Sequence, residues 1–453
     1  MLFTRDKSFY RSLIRLAVPI ALQNLLTYAI NLAGNIMVGS LGDNAISGVF
    51  MGNQTNTLVV MFVGGTTGAL LLLASQYWGI NDRASIKKVV SIGSMFALAP
   101  CALLTLVCLL LPYQIIGLFT QDAGVIAEGA AYLRIVAFSY IPFAMSQTLI
   151  AAMRGVETAK IGMYISFAAL CVNVSLNYVL IFGKFGFPAI GVRGAAIATV
   201  ISRFVELGVA FVYVFAVDKK LVIKLKDFFQ FDKVLLRDFV RYGLPIIGGN
   251  VVWSVNMLAS SAILGRFDAE VIASASVAGT LSGLIAIWMN GLSAAVGVIT
   301  GKTVGAGQYE SMKEYAKTVQ IIFVFVGIIS GAVIFLMRDL FITFYNISDS
   351  ARLYTAQFIN VLAITTAGTC YQATCLFGLV KSGGDVSFVF KNDTIFVFGV
   401  VLPSALIAAA VGAQPWIVFT CLKCDQVLKC AVAVVKINSY NWMKNLTRTA
   451  ATE

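Results

Sequence analysis

The sequence predicts an all-α membrane protein of twelve transmembrane helices, arranged as two pseudo-symmetric six-helix lobes. Three observations predict it: a composition too apolar for a water-soluble domain, about a dozen long apolar runs, and a repeat at a fixed offset. Of the 453 residues, 59% are hydrophobic and 12% charged, against about 25% charged in soluble globular chains. At roughly 20 apolar residues per span, such a chain has room for about twelve helices. The runs are continuous and do not alternate, which excludes a transmembrane β-barrel.

In chain order the runs place helices at about 13–38, 44–75, 89–111, 127–152, 161–182, 190–216, 243–265, 271–301, 316–337, 353–380, 388–411 and 414–437. Several exceed the bilayer thickness and imply tilt or extension beyond it. Met1 to Arg15 is basic and enters an apolar stretch, as a signal peptide does. That stretch runs to about Val38 without a small-residue cleavage site, so it reads as a retained first helix.

The net charge of +12 is a topology signal and not a nucleic-acid one, because the basic residues collect between apolar runs on alternate sides. One side holds clusters such as Arg83, Lys87 and Lys88, the run from Lys219 to Arg241, and Lys302, Lys313 and Lys317. The other side holds only Lys184, Arg193, Arg266, Arg338 and Arg352. The first side is therefore expected to be cytoplasmic, with both termini on it. The longest connection, 217–242, divides an N-terminal lobe (1–216) from a C-terminal lobe with a cytoplasmic tail (243–453). The absence of histidine removes histidine catalysis, metal sites and proton relays together. The eight cysteines fall in apolar runs and read as buried single thiols. Cys421-x-x-Cys424 has redox spacing but sits mid-helix without partner ligands.

The repeat sets the architecture. A shift of 226 residues lays Pro19 on Pro245, Ile20 on Ile246, Asn24 on Asn250, Gly39 on Gly265, Gly65 on Gly291, Lys87 on Lys313 and Arg203 on Lys429. In between, the register slips by two, so Arg154-Gly155-Val156-Glu157 meets Ser382-Gly383-Gly384-Asp385. Six helices per repeat keep the same orientation, so the lobes are expected to be related by an axis along the membrane normal, with a cavity between them near the midplane. Pro19 and Pro245 each remove one backbone bond from the first helix of a lobe and mark a bending point. Gly48-x-x-x-Gly52, Gly64-x-x-x-Gly68 and Gly297-x-x-x-Gly301 permit close helix packing. Gly301-Lys302-Thr303 lacks the preceding glycine and strand of a phosphate-binding loop. No nucleotide site is expected.

Charges inside the membrane cost about 2.5–3.5 kcal/mol even on the lenient insertion scale, so each needs a partner or a cavity. Glu206 and Asp425 are the acids read as well inside a span; Arg134, Arg203, Lys423 and Lys429 are the bases. Arg203 and Glu206 are three apart, and Asp425 and Lys429 four apart, so each pair shares a helix face. Either these are self-neutralised pairs that lock the terminal helix of a lobe, or Asp425 and Glu206 are coupling-ion carboxylates with Lys429 and Arg203 as charge partners. Uncharged candidates for a cavity wall are Asn24, Asn31, Asn35, Asn53, Gln54, Asn250, Trp253 and Asn256. No metal site and no catalytic residue is expected.

Leu16-Ala17-Val18-Pro19-Ile20, Asn35-Ile36-Met37-Val38-Gly39, Gly191-Val192-Arg193-Gly194-Ala195-Ala196-Ile197-Ala198-Thr199 and Trp442-Met443-Lys444-Asn445-Leu446-Thr447 together resemble the multidrug and toxic compound extrusion (MATE) family. The resemblance covers nearly the whole chain. It implies a bacterial inner-membrane antiporter, a monomer without cofactor, that exports small organic and often cationic compounds against inward H⁺ or Na⁺. Many members keep a cation-binding aspartate where this chain has Gly34, and the glutamate some use on helix 7 aligns with Trp253. Coupling is thus expected to rest elsewhere. A flippase for lipid-linked saccharides, from the same superfamily, is the alternative. A membrane-embedded transferase is opposed by the lack of histidine and of a paired-aspartate motif.

Overall fold

The structure, a computed structural model, describes residues 3–345 and 348–448; the outermost ends of both expected lobes, residues 1–2 and 449–453, lie outside them. Twelve long helices run through the described residues. They are α1 (Lys7–Gly39), α2 (Asp43–Gly79), α3 (Arg83–Leu110), α4 (Ala123–Gly155), α5 (Lys160–Phe182) and α6 (Gly191–Val217). After them come α7 (Lys233–Leu264), α8 (Ala269–Gly305), α9 (Tyr309–Leu336), α10 (349–381), α11 (Val386–Ala410) and α12 (415–438). Ten are long and apolar enough to cross a membrane as single runs. The other two, α10 and α12, carry threonines and amides or buried charges.

Most helices begin earlier than the apolar runs, α7 by ten residues and α1 and α3 by six. The apolar pattern marks the part in hydrocarbon, whereas Lys, Arg and Glu continue the helix well into the headgroup layer. The connection therefore shrinks to 218–232 and carries a short turn at Leu225–Phe229. It is clamped by Lys87–Asp227 (3.0 Å), Lys88–Asp232 (2.9 Å) and Ser91 Oγ donating to the Phe228 carbonyl (2.6 Å). The Lys88 ammonium holds the Asp232 carboxyl below its ordinary range.

Several helices leave the α pattern in mid-course. α4 tightens into a 3₁₀ turn at Ala137–Ser139, just before Pro142. α11 widens into a π turn at Val397–Val401, where Pro403 has no N–H for the carbonyl of Gly399. α10 is π-wound over Thr374–Lys381, and α12 is interrupted at Cys424.

The chain forms two compact units, Met1–Ala21 with Gly248–Glu453, and Leu22–Ile247. The divisions fall inside α1 and α7, two residues after Pro19 and two after Pro245, and not at the interlobe connection. The first unit packs a core of Val271, Leu362, Val401, Val418 and the stacked rings of Phe358 and Phe419, 4.4 Å apart. The Trp442 indole is fully buried, donates to the Ile437 carbonyl (2.9 Å) and covers Gly383. In the second unit Val49, Val63, Cys101, Ile116, Leu133 and Tyr140 form the core. There α2 meets α4 so closely that a Cβ on Gly48 would lie 2.7 Å from the Gly129 nitrogen, and one on Gly52 2.7 Å from the Tyr132 ring. Outward residues such as Leu110, Ile329, Leu336 and Ile395 are large and exposed, as a lipid-facing surface requires. Cys171 is exposed among them, which corrects the reading of all eight thiols as buried: it lies on the outer face of α5. Arg134 is also exposed and finds its partner in the Tyr113 ring, 5.2 Å from the guanidinium carbon.

In the first unit, a Cβ at Gly331 would overlap the Ala363 carbonyl oxygen, and one at Gly368 the Gln426 carbonyl oxygen. Gly331→Ala and Gly368→Ala should each destabilise the fold by about 1–3 kcal/mol, the usual range for overpacking. Gly279→Ala, with nothing within 4 Å of the new methyl, should be neutral or slightly stabilising. Thermal unfolding in detergent checks all three.

Candidate functional site

A cavity of about 300 Å³ opens within the second unit. Five helices wall it: α1 (Asn31, Gly34, Asn35), α2 (Asn53, Gln54, Asn56, Thr57), α4 (Tyr132, Ser139, Phe143), α5 (Asn173, Asn177) and α6 (Thr199, Ser202, Arg203). The spacing explains the convergence. Asn31, Gly34 and Asn35 are i, i+3 and i+4 on one face of α1, and Asn173 and Asn177 are one turn apart on α5. Each pair of amides interrupts an apolar stretch of its helix.

The amides form a chain. Asn173 Nδ2 donates to Ser202 Oγ (3.3 Å), Asn177 Nδ2 donates to Asn173 Oδ1 (2.8 Å), and the Tyr132 hydroxyl donates to Asn53 Oδ1 (3.2 Å). The relay ends at Asn177 Oδ1, a buried acceptor with no partner. Such an orphan is costly unless a ligand or water completes it. No lining residue is acidic. Arg203 is the one charged lining residue, and its guanidinium lies over the Phe143 ring at 4.6 Å. Its charge is spent on Glu206, 2.6 Å away, which is buried and also accepts from Ser146 Oγ (3.2 Å) and Gln147 Nε2 (2.8 Å). The Arg203–Glu206 pair is thus a closed one-to-one arrangement that ties α6 to α4.

Asn31, Asn35, Asn53 and Gln54 line the cavity together with Gly34. Asn24, Asn250, Trp253 and Asn256 lie outside it. Asn24 shares the face of Asn31 but sits seven residues away, about 10 Å along the axis, and Trp253 is 62% exposed. Tyr132, Asn173, Asn177, Thr199 and Ser202 escaped the sequence reading. The i, i+4 asparagines in an apolar helix were the available signal.

The charges of α12 are arranged differently from the sequence reading. Lys429 Nζ lies 3.1 Å from Asp425, as its spacing implied, and also 2.9 Å from Asp393 of α11. Asp393 was missed because it lies close to the expected start of its span, two residues after Lys391. The self-neutralised pair is therefore a triad of two carboxylates and one ammonium. Asp425 additionally accepts from Gln426 Nε2 (3.0 and 3.1 Å), whose Oε1 accepts from Gln372 Nε2 (3.0 Å). Lys423, two residues before Asp425, lies over the Phe419 ring.

The MatE family model matches the chain twice, over residues 19–179 and 245–407. The chain belongs to the MatE family. The two matches start 226 residues apart (245 against 19) and end 228 apart (407 against 179), the offset and the slip of two seen in the repeat. Among curated relatives, "Probable multidrug resistance protein NorM" of Geobacillus kaustophilus is 27% identical over 90% of both chains. The NorM of Halalkalibacterium halodurans is 24% identical over 86% of both. Among solved structures, the Vibrio cholerae MATE transporter VcmN in its bent form superposes with a TM-score of 0.86 at 14% identity, covering 96% of this chain and 97% of its own. The eukaryotic MATE transporter AtDTX14 gives 0.82 at 20% identity, with 97% of each chain covered. These likenesses show the twelve-helix MATE fold. Membership makes the chain a multi-pass membrane transporter and not an enzyme.

Nothing lies within 4 Å of a Cβ placed on Gly34, so the cavity has room there for a side chain. Gly34→Asp should seat a carboxylate beside Asn31 and Asn35 and make the melting temperature rise with Na⁺ concentration, at constant ionic strength. The parent should show no such dependence. Equal Na⁺ response in both would mean that the amides around Gly34 do not complete a cation site.

Proposed function

We propose that this MatE-family protein is a secondary-active exporter of small organic compounds, working by alternating access and driven by an inward H⁺ or Na⁺ gradient. Its place would be a bacterial inner membrane with both termini in the cytoplasm, in line with the bacterial relatives and with the bias of lysine and arginine between spans. The observation that carries this reading is the cavity of the second unit: about 300 Å³, walled by amides, hydroxyls and aromatic rings, and ending in an unpartnered acceptor. Pockets of roughly 300–1,000 Å³ with a few convergent polar groups suit drug-sized molecules. The relatives named as multidrug resistance proteins support the same substrate class.

The lining favours hydrogen-bonding organic compounds over any one charge. It offers no carboxylate to a cation, so a cationic preference rests on the family resemblance alone. A flippase for lipid-linked pyrophosphates would need free positive charge, and the single arginine in the wall is already paired with Glu206. No motif for nucleotide hydrolysis is present in the sequence, which leaves an ion gradient or the substrate's own gradient as the source of energy.

Expression in an efflux-deficient bacterial host should lower susceptibility to part of a dye and antibiotic panel and lower ethidium accumulation. Asn177→Ala removes the acceptor at the end of the relay and one neutral hydrogen bond worth about 0.5–1.5 kcal/mol. It should weaken half-maximal transport roughly two- to tenfold at unchanged expression. A host that handles the entire panel like the empty vector would overturn the reading.

A further inference from the structure

The triad of the first unit is out of balance in a way that its counterpart in the second unit is not. Lys429 carries one positive charge and faces two carboxylates, at 2.9 Å (Asp393) and 3.1 Å (Asp425). All three side chains are nearly nine-tenths buried or more. Like charges that share a buried site do not both stay ionised without compensation. The two acids also differ in support. Asp425 has Lys429 and the Gln426 amide, which Gln372 orients; among the described residues, Lys429 is the only donor to Asp393.

From this geometry we infer that Asp393 is the proton-loading carboxylate of the transporter: it takes up one proton from the side of high proton concentration and Lys429 then stays with Asp425. The step is a simple transfer, with one proton added to the Asp393 oxygen not held by Lys429 and released again to the opposite side. The inference rests on the exporter reading and names its coupling ion and site.

Two independent features support it. All three helices that meet at the triad are irregular there: α10 is π-wound over Thr374–Lys381, α11 over Val397–Val401, four residues after Asp393, and α12 breaks at Cys424 beside Asp425. Such interruptions recur at functional sites. Buried polar atoms without partners also occur on the same helices, Gln372 Oε1 and Thr374 Oγ1 on α10 and Asn392 Nδ2 on α11, and such atoms are where water relaying a proton would be held.

Titratable groups flank the triad at both ends. Asp385, just before α11, pairs with Lys436 near the end of α12 at 2.7 Å, which sets those helix ends level. Lys381, at the end of α10, therefore acts on Asp393 from that end, and Lys423 acts on Asp425 from the opposite end. Neither makes an ion pair among the described residues. Tyr371 and Cys375 on α10 and Cys424 and Cys430 on α12 are the remaining titratable neighbours, and their ordinary protonated forms are neutral. With both flanking lysines charged, the five charged groups sum to +1. The long-range lysines temper the need for a proton without supplying the missing hydrogen bond. Glu206, the other acidic candidate, is excluded by its closed pairing with Arg203, Ser146 and Gln147.

The test combines infrared difference spectroscopy of the purified full-length protein, between acidic and alkaline buffer, with ethidium transport in proteoliposomes under an imposed pH gradient. The parent should show the carbonyl band of one buried carboxylic acid, shifted in Asp393→Glu and absent in Asp393→Asn. Asp393→Asn should keep the melting temperature of the parent, equilibrate ethidium, and lose gradient-driven accumulation at least tenfold. A parent without the band, a band that survives in Asp393→Asn, or driven accumulation intact in that variant would each overturn the assignment. A band that behaves as expected in a parent that moves no ethidium would instead sink the exporter reading and leave the proton site standing.

Discussion

A polar group placed in hydrocarbon must find its partner inside the protein, because no water is there to supply one. That constraint decides where each helix of this chain can lie. In the second unit Glu206 is surrounded by Arg203, Ser146 and Gln147, and Arg154 reaches Gln23 at 2.8 Å. The contacts from Ser146 and Gln147 to Glu206 and from Arg154 to Gln23 each tie one helix to another and fix rotation as well as distance. Hydroxyls that lack such a partner bond back to their own helix, as Thr66 does to the Phe62 carbonyl (2.8 Å) and Thr303 to that of Ile299 (2.8 Å). Asn177 Oδ1 stands apart from the other unpartnered buried polar atoms in belonging to a residue of the cavity wall.

Packing supplies the rest of the specificity. Lipid tails are as apolar as leucine, so helices gain little by hiding leucine from them and must gain by close approach. Gly48 on Gly129, Gly331 on Ala363 and Gly368 on Gln426 bring backbones together where any side chain would intrude. Gly368 has a further effect: it brings α10 against α12 at Gln426, the residue whose amide holds Asp425. Packing and site chemistry thus meet in one contact.

Much of this was legible in the residues. Apolar runs gave the number and order of the helices, and matched prolines and glycines gave the duplication that the two family matches reproduce. The family resemblance, and not the residues alone, marked Gly34 as a position where many members keep an acid. Three things were hidden. Helix ends extend past the apolar runs because charged residues carry helix well, so Asp393 sat at an apparent margin when it is seven residues inside α11. The π turns of α10 and α11 leave no mark in hydropathy, although Pro403 stands just after the second of them. The split of α1 and α7 between the two compact units is likewise set by three-dimensional contacts, though Pro19 and Pro245 stand beside it.

The duplication also lets the two halves be compared at equivalent positions. Arg203 and Lys429 are repeat equivalents, each a base near the middle of the last helix of its half. In one half the base meets a single acid that neighbouring donors satisfy, and the pair behaves as part of the scaffold. In the other the base meets two acids on two helices, and α10, α11 and α12 all depart from regular geometry around them. Breaking a buried pair costs more than never having had one, so a one-to-one pair resists change. A two-to-one cluster does not have a single lowest arrangement of charge: the ammonium has two partners and a proton has a place to go. The asymmetry between the halves is therefore one of charge arrangement: a base closed on one acid in the first, a base shared between two acids in the second.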